Sequence, residues 1–202
     1  MRAVDAPTRR QEPDTPRPEE PDPGRARTPR PGPEPGPWEP AARLVRAAQA
    51  GDALAVDDLI TLLTPYVGRL CRPIALADSA DAVQESLIAV FQGLPRLKDP
   101  TALYGWVRTI TVREAVRVAR RARRETPWGE FDDVPGPLDA ELACEVHDVL
   151  SRMSSEHRAV LTLRELEGLD ERAASDALNI PCGTVKSRLH RARNSFRKAW
   201  TR

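Results

Sequence analysis

Seven basic residues and no acidic one lie between Lys186 and Arg202, a composition suited to holding phosphates and reaching base edges. Val185, Leu189, Ala192 and Phe196 recur at spacings of four, three and four, which lines them along one stripe of a helix that must pack inward. Ser187, His190, Arg191 and Asn194 fall on the opposite side, flanked by Lys186, Arg193 and Arg197. The chemistry on offer is recognition of duplex DNA in a groove. An Arg at such a face can donate paired bonds to guanine O6 and N7, worth roughly 1 to 3 kcal/mol of discrimination, whereas a Lys acts as a point charge.

Such a helix needs a support that sets its angle to the groove. Just upstream, Gly168 fits a helix stop, Asp170 an N-cap, and Pro181 the first turn of the basic helix. Asn179 tolerates a left-handed turn between the two helices. Helices are predicted at about Asp139 to Met153, Ser155 to Glu167, Asp170 to Leu178 and Pro181 to Trp200, and the last two form a helix-turn-helix. Further helices are predicted at Ala41 to Ala50, Ala53 to Cys71, Asp78 to Leu94 and Leu103 to about Arg124, with Pro65 placed to kink or split the second. Val83, Leu87, Val90, Phe91 and Leu94 share one face of the third, with Asp81, Gln84 and Glu85 turned elsewhere.

Few aromatics, abundant Ala and Leu, and little glycine in the predicted helices favour an all-α chain. Twelve of the 20 prolines fall within residues 1–40, which bury too little apolar surface to order and read as a disordered Pro-rich tail with polyproline character. Residues 125–138 hold three Pro, two Gly and four acidic side chains with no basic one, and read as an acidic linker. The expected organisation is two small helical domains, 41–124 and 139–202, joined by that linker. The net charge is only +1, but it is unevenly spread. Arg108 to Arg124 carries seven Arg and one Glu, while Asp139 to Glu171 carries nine acidic and three basic residues. Three scattered cysteines without a CxxC pair suggest neither a disulfide framework nor a thiolate zinc site, and fit a reducing cytoplasm. Neither a membrane span nor a signal peptide is expected.

Two blocks carry a family likeness. Asp81-Ala82-Val83-Gln84-Glu85, Leu94-Pro95-Arg96-Leu97, Gly105-Trp106-Val107-Arg108-Thr109-Ile110 and the Arg-rich helix end resemble region 2 of bacterial sigma-70 factors of the extracytoplasmic-function group. Val160 to Leu169, followed by Ile180 to Arg193 with its Gly183-Thr184-Val185-Lys186-Ser187-Arg188 core, resembles their region 4. The resemblance implies a dissociable specificity subunit of RNA polymerase, whose first domain binds the clamp and opens the minus-ten element and whose second reads the minus-thirty-five element. It assigns Asp81, Gln84 and Glu85 to the polymerase clamp; without it they read as a solvated face. It assigns Lys98, Asp99 and Thr101 to a base flipped from the minus-ten strand, which must repay its unstacking. Tyr104 and Trp106 become stacking platforms, with a core role as the alternative for Trp106. Arg113, Arg117, Arg120 and Arg121 would neutralise phosphates around the melted region, or form a solvated basic helix end. Lys186, Ser187, His190 and Arg191 take base-reading positions at the minus-thirty-five element, with Arg191 foremost and an inert surface residue as the equal alternative for His190, while Thr184, Arg188 and Arg193 hold phosphates. An anti-sigma partner is also implied.

Some residues depart from the family pattern. Ala174 and Ala177 stand where larger aliphatics are common, which predicts looser packing beneath the basic helix, and Cys182 replaces a small aliphatic. Cys144-x-x-His147 offers two ligands from one helix, too few for a zinc site, so neither metal nor cofactor is expected. A stand-alone helix-turn-helix regulator explains the C-terminal half but leaves Asp81 to Glu85 and the Trp106 region unused. A polymerase adaptor that reads no DNA is the other alternative. An enzyme is least expected, because no phosphate-binding glycine loop and no nucleophile with a matched base is found.

Overall fold

The computed structural model describes residues 39–125 and 140–201, with side chains for 39–123 and 144–201. Residues 1–38 of the expected Pro-rich tail and all but the first residue of the expected linker lie outside these; the last two residues of that tail, Glu39 and Pro40, are instead helical and open the first helix. The described residues form helices, without a strand. In chain order they are α1 (Glu39–Gln49), α2 (Ala53–Ala75), α3 (Ser79–Gly93), α4 (Leu103–Glu125), α5 (Ala140–Ser151), α6 (Ser155–Leu161), α7 (Glu171–Leu178) and α8 (Cys182–Trp200).

The N-terminal group assembles around α2, which packs against α1, α3 and α4. Asp52 starts α2 by accepting from the amides of Leu54 and Ala55, and Leu59, Leu63, Val67, Leu70 and Ile74 form its buried face. The expected end at Cys71 and the expected break at Pro65 are both corrected: α2 runs unbroken through Pro65 and Pro73 to Ala75. Thr61 and Pro65 are exposed, so the carbonyl that proline leaves without a partner opens to water. The turn after α2 carries Leu76 at φ 56, an uncommon conformation for a leucine. In α3 the deepest residues are Ala82, Ser86 and Val90, while Val83, Leu87 and Phe91 of the expected face are half-buried. The expected loop after α3 contains short 3-10 turns at Leu94–Arg96 and Pro100–Ala102. It is tied to α1 by the Gln49 amide, which donates to the carbonyls of Leu94 and Leu97 at 2.8 and 2.9 Å.

In the C-terminal group the helix expected over Ser155 to Glu167 is corrected. It stops at Leu161 and widens into a π-type turn, Thr162–Leu166. There the Thr162 hydroxyl donates back to the Arg158 carbonyl, and the Glu167 amide reaches five residues back to Thr162. Gly168, at φ 65, completes the stop.

The two groups share one hydrophobic cluster, in which Leu59, Leu63, Ile74, Val112 and Ala115 join Ala159, Leu163, Ala174, Ala177 and Val185. Helix α4 packs on α6 and α7, and α2 on α6. Arg158 is buried at this junction. Its guanidinium donates to the Ile74 carbonyl at 2.8 Å, near the end of α2, and to the Leu150 and Met153 carbonyls. A guanidinium supplied by the C-terminal group thus satisfies a carbonyl at the end of a helix in the N-terminal group. Burial pulls the Arg158 pKa down to about 10.

Candidate nucleic-acid interface

Helices α7 and α8 form the expected helix-turn-helix. Asp170 caps α7 by accepting from the Ala173 amide. Asn179 occupies the left-handed conformation at φ 52 and ψ 49, its amide returning to the last turn of α7. The Ser175 hydroxyl donates to the Ile180 carbonyl at 2.5 Å, closing the turn from inside. Pro181 stands one residue before α8 as its N-cap rather than inside its first turn.

Val185, Leu189 and Ala192 of α8 are buried, as the stripe predicts. Phe196 is half-buried and stacks on Trp200 at 5.8 Å between ring centroids. Ala174 and Ala177, where looser packing was expected, are themselves buried. Lys186, Ser187, His190, Arg191 and Arg193 are exposed, and Thr184 and Arg188 half-buried. His190 lies within hydrogen-bond distance of Asn194, and Arg193 pairs with Glu165 at 2.8 Å. Lys186, Ser187 and Arg191 therefore present a polar face beside a framework held by its own backbone bonds.

In the N-terminal group Asp81 and Gln84 are exposed and Glu85 half-buried. Glu85 accepts from Arg117 at 3.2 Å and pairs with Arg121 at 3.5 Å. Lys98, Asp99 and Thr101 lie in the exposed connection before α4. There the Asp99 carboxylate takes both the amide and the hydroxyl of Thr101, bonds that hold its pKa below the usual value. Tyr104 is partly exposed and meets the Tyr66 ring edge to face at 5.3 Å. Trp106 packs against the core, and a Cβ on Gly93 would come within 2.9 Å of its indole; Gly93 is the space the indole needs.

The arginines expected at phosphates are engaged inside the protein. Arg113 donates to the carbonyls of Ala177 and Asp176 at the end of α7, at 2.8 and 2.9 Å. Arg117 also pairs with Glu114, and Arg120 with Glu156 at 2.5 Å. The basic helix thus lies against the acidic half of the molecule that its composition complements.

The family described as "Sigma-70 region 2" matches residues 55–125, and that described as "Sigma-70, region 4" matches residues 145–195. The ECF RNA polymerase sigma-E factor of Haemophilus influenzae is 31% identical over 169 residues, covering 74% of this chain and 89% of that protein. The chain belongs to the sigma-70 family, in its extracytoplasmic-function group. The RNA polymerase sigma-H factor of Pseudomonas aeruginosa is 30% identical over 78% of this chain and 92% of its own length. Among solved structures, the fold is similar to that of the sigma factor RpoE bound to the anti-sigma factor NepR from Bartonella quintana, with a TM-score of 0.59 at 20% identity, covering 72% of this chain and 96% of that one. CnrH, solved with the cytosolic domain of CnrY, gives 0.54 at 22%, covering 78% and 95%.

As a sigma factor, the protein binds the RNA polymerase core and directs promoter-specific initiation of transcription. No described helix is long and apolar enough to cross a membrane.

The structure of this sigma factor also brings together residues that sequence reasoning missed. The wide turn after α6 carries Glu167 to the N-terminal group, where its side chain is only 6% exposed. Its carboxylate accepts from the Tyr66 hydroxyl at 2.9 Å and from Arg69 at 2.8 Å, and lies 3.6 Å from Arg108. Arg69 also lies over the Tyr66 ring, 5.3 Å from its centroid. Burial first, and then the Glu167 carboxylate, push the Tyr66 hydroxyl up to about 12. No sequence signal joins residue 66 to residue 167; only the rarity of a tyrosine in this chain hinted at a role.

Proposed function

We propose that α3 offers Asp81, Gln84 and Glu85 to basic side chains on the polymerase clamp, and that α8 reads the minus-thirty-five element. In that reading Arg191, Lys186, Ser187 and His190 face bases, while Thr184, Arg188 and Arg193 fix register on phosphates. Lys98, Asp99 and Thr101 meet the flipped minus-ten base, beside Tyr104 and Trp106. Arg113, Arg117, Arg120 and Arg121 hold phosphates once they are released from the contacts described above. The protein then works in the bacterial cytoplasm as a non-catalytic specificity subunit, and the bond-making chemistry belongs to the polymerase. The two solved relatives were captured with an anti-sigma factor and with a cytosolic partner domain, which supports an anti-sigma partner here as well.

The observation that carries this reading is the outward face of α8, exposed at Lys186, Ser187, His190 and Arg191 on a turn fixed by Asn179 and Ser175. Run-off transcription from a promoter pool tests it, using core polymerase with wild type, Glu85→Lys and Arg191→Ala. Glu85→Lys should lose initiation at every promoter. Arg191→Ala should keep core binding and lose roughly 10-fold or more of its discrimination at one upstream position. Initiation that is unchanged in both variants would refute the assignments.

A further inference from the structure

We propose that Tyr66, Arg69 and Arg108 form an anion cradle for a backbone phosphate of the melted promoter strand, and that Glu167 fills this cradle until the DNA arrives. The inference rests on the promoter-opening reading of the N-terminal group and adds a site to it.

Three donors converge on the Glu167 carboxylate from two helices, the Tyr66 hydroxyl and Arg69 from α2 and Arg108 from α4. A phosphodiester presents the same two charged oxygens to such a set, and guanidinium groups suit either anion. The carboxylate also leaves the cradle incompletely satisfied: the Arg108 Nε is buried without a hydrogen-bond partner. A buried N–H of this kind costs free energy. A phosphodiester adds two ester oxygens to its two charged ones, and so offers more acceptors than a carboxylate.

The surroundings suit single-stranded DNA. Tyr104 stands edge to face against Tyr66 and is 37% exposed, so an unpaired base can stack next to a phosphate held in the cradle. With Glu167 in place the cluster of two arginines and one carboxylate has a net charge of +1, and its departure leaves +2. Glu167 sits beyond a wide turn of the C-terminal group, not on α2 or α4, so it can leave without disturbing the donors.

The test is fluorescence anisotropy of the full-length protein with a fluorescein-labelled single strand carrying a minus-ten sequence. Glu167→Gln keeps the shape and removes the charge, and should tighten binding by about tenfold, the size of one charge-assisted contact. Adding Arg69→Ala to that variant should cancel the gain and lower the slope of log affinity against log salt by about 0.7, one phosphate on a single strand. Tyr66→Phe in the same background keeps the ring and should lose part of the gain. A strand with methylphosphonate linkages should show no gain at all. If Glu167→Gln melts like wild type yet binds the strand no more tightly, the cradle is refuted. A gain for an oligoglutamate peptide without one for DNA would also overturn it, in favour of an acidic protein segment. Run-off transcription by the wild type separates the outcomes, because loss of initiation there would remove the underlying reading rather than the cradle alone.

Discussion

His157 lies near the start of α6, and burial, aided by the charges of Arg188 and Arg191 on α8, lowers its pKa below 6.5. A histidine whose folded pKa is depressed gives stability that is present above the unfolded value and lost as pH falls through the folded one. The wild type should therefore melt at a lower temperature as pH drops below about 6.5, and His157→Asn should flatten that part of the profile when thermal melts are compared across mildly acidic to neutral pH. At this scale sequence was a good guide to which side chains face out. Lys186, Ser187 and Arg191 emerge on one exposed face because a 3.6-residue period, once Val185 and Leu189 are buried, fixes what lies opposite. It was a poor guide to pairing. The partners of Glu85, Arg120 and Glu167 come from other helices, and no local spacing records them.

Each turn around α8 rests on a small number of backbone demands. Asn179 adopts the left-handed conformation, which a β-branched residue resists. Asn179→Val should cost roughly 1 to 2 kcal/mol, whereas Asn179→Gly should be close to neutral or stabilising, with urea unfolding as the measurement. Several boundaries were legible because their signals are chemical: Asp170 as a cap and Gly168 at positive φ. Two features were not. Proline in α2 reads as a break, yet the helix is held on several sides by neighbours whose contacts outweigh the lost bond. The wide turn after Leu161 replaces what the pattern reads as two more helical turns, because insertion of one residue into a helical turn leaves no compositional mark.

On the scale of the molecule, α4 and α7 are in contact, and Arg113 of one holds the end of the other. Promoter elements named minus-ten and minus-thirty-five lie roughly 25 base pairs apart, about 85 Å at ~3.4 Å per step. If each group reads one of these elements, as proposed, the two cannot read both while packed together. The 14 residues between Glu125 and Ala140 can span at most roughly 50 Å when stretched, and the groups' own dimensions supply the rest. A fluorophore pair on Thr61→Cys and Arg172→Cys, with Cys144 and Cys182 changed to Ser, should report high energy transfer in the free protein and a marked loss on adding core polymerase. Unchanged transfer in a transcribing complex would contradict this separation. The buried Arg158 then determines how such a release proceeds. Its guanidinium meets the Ile74 carbonyl inside the shared cluster, so a small displacement of α6 strips that bond before water can replace it, at a cost of roughly 1 to 3 kcal/mol. Half-parted forms are thereby disfavoured, and single-molecule traces should jump between two levels instead of drifting. The molecules then divide into packed and parted forms, and a signal that favours parting enlarges the parted fraction without changing what each parted molecule can do.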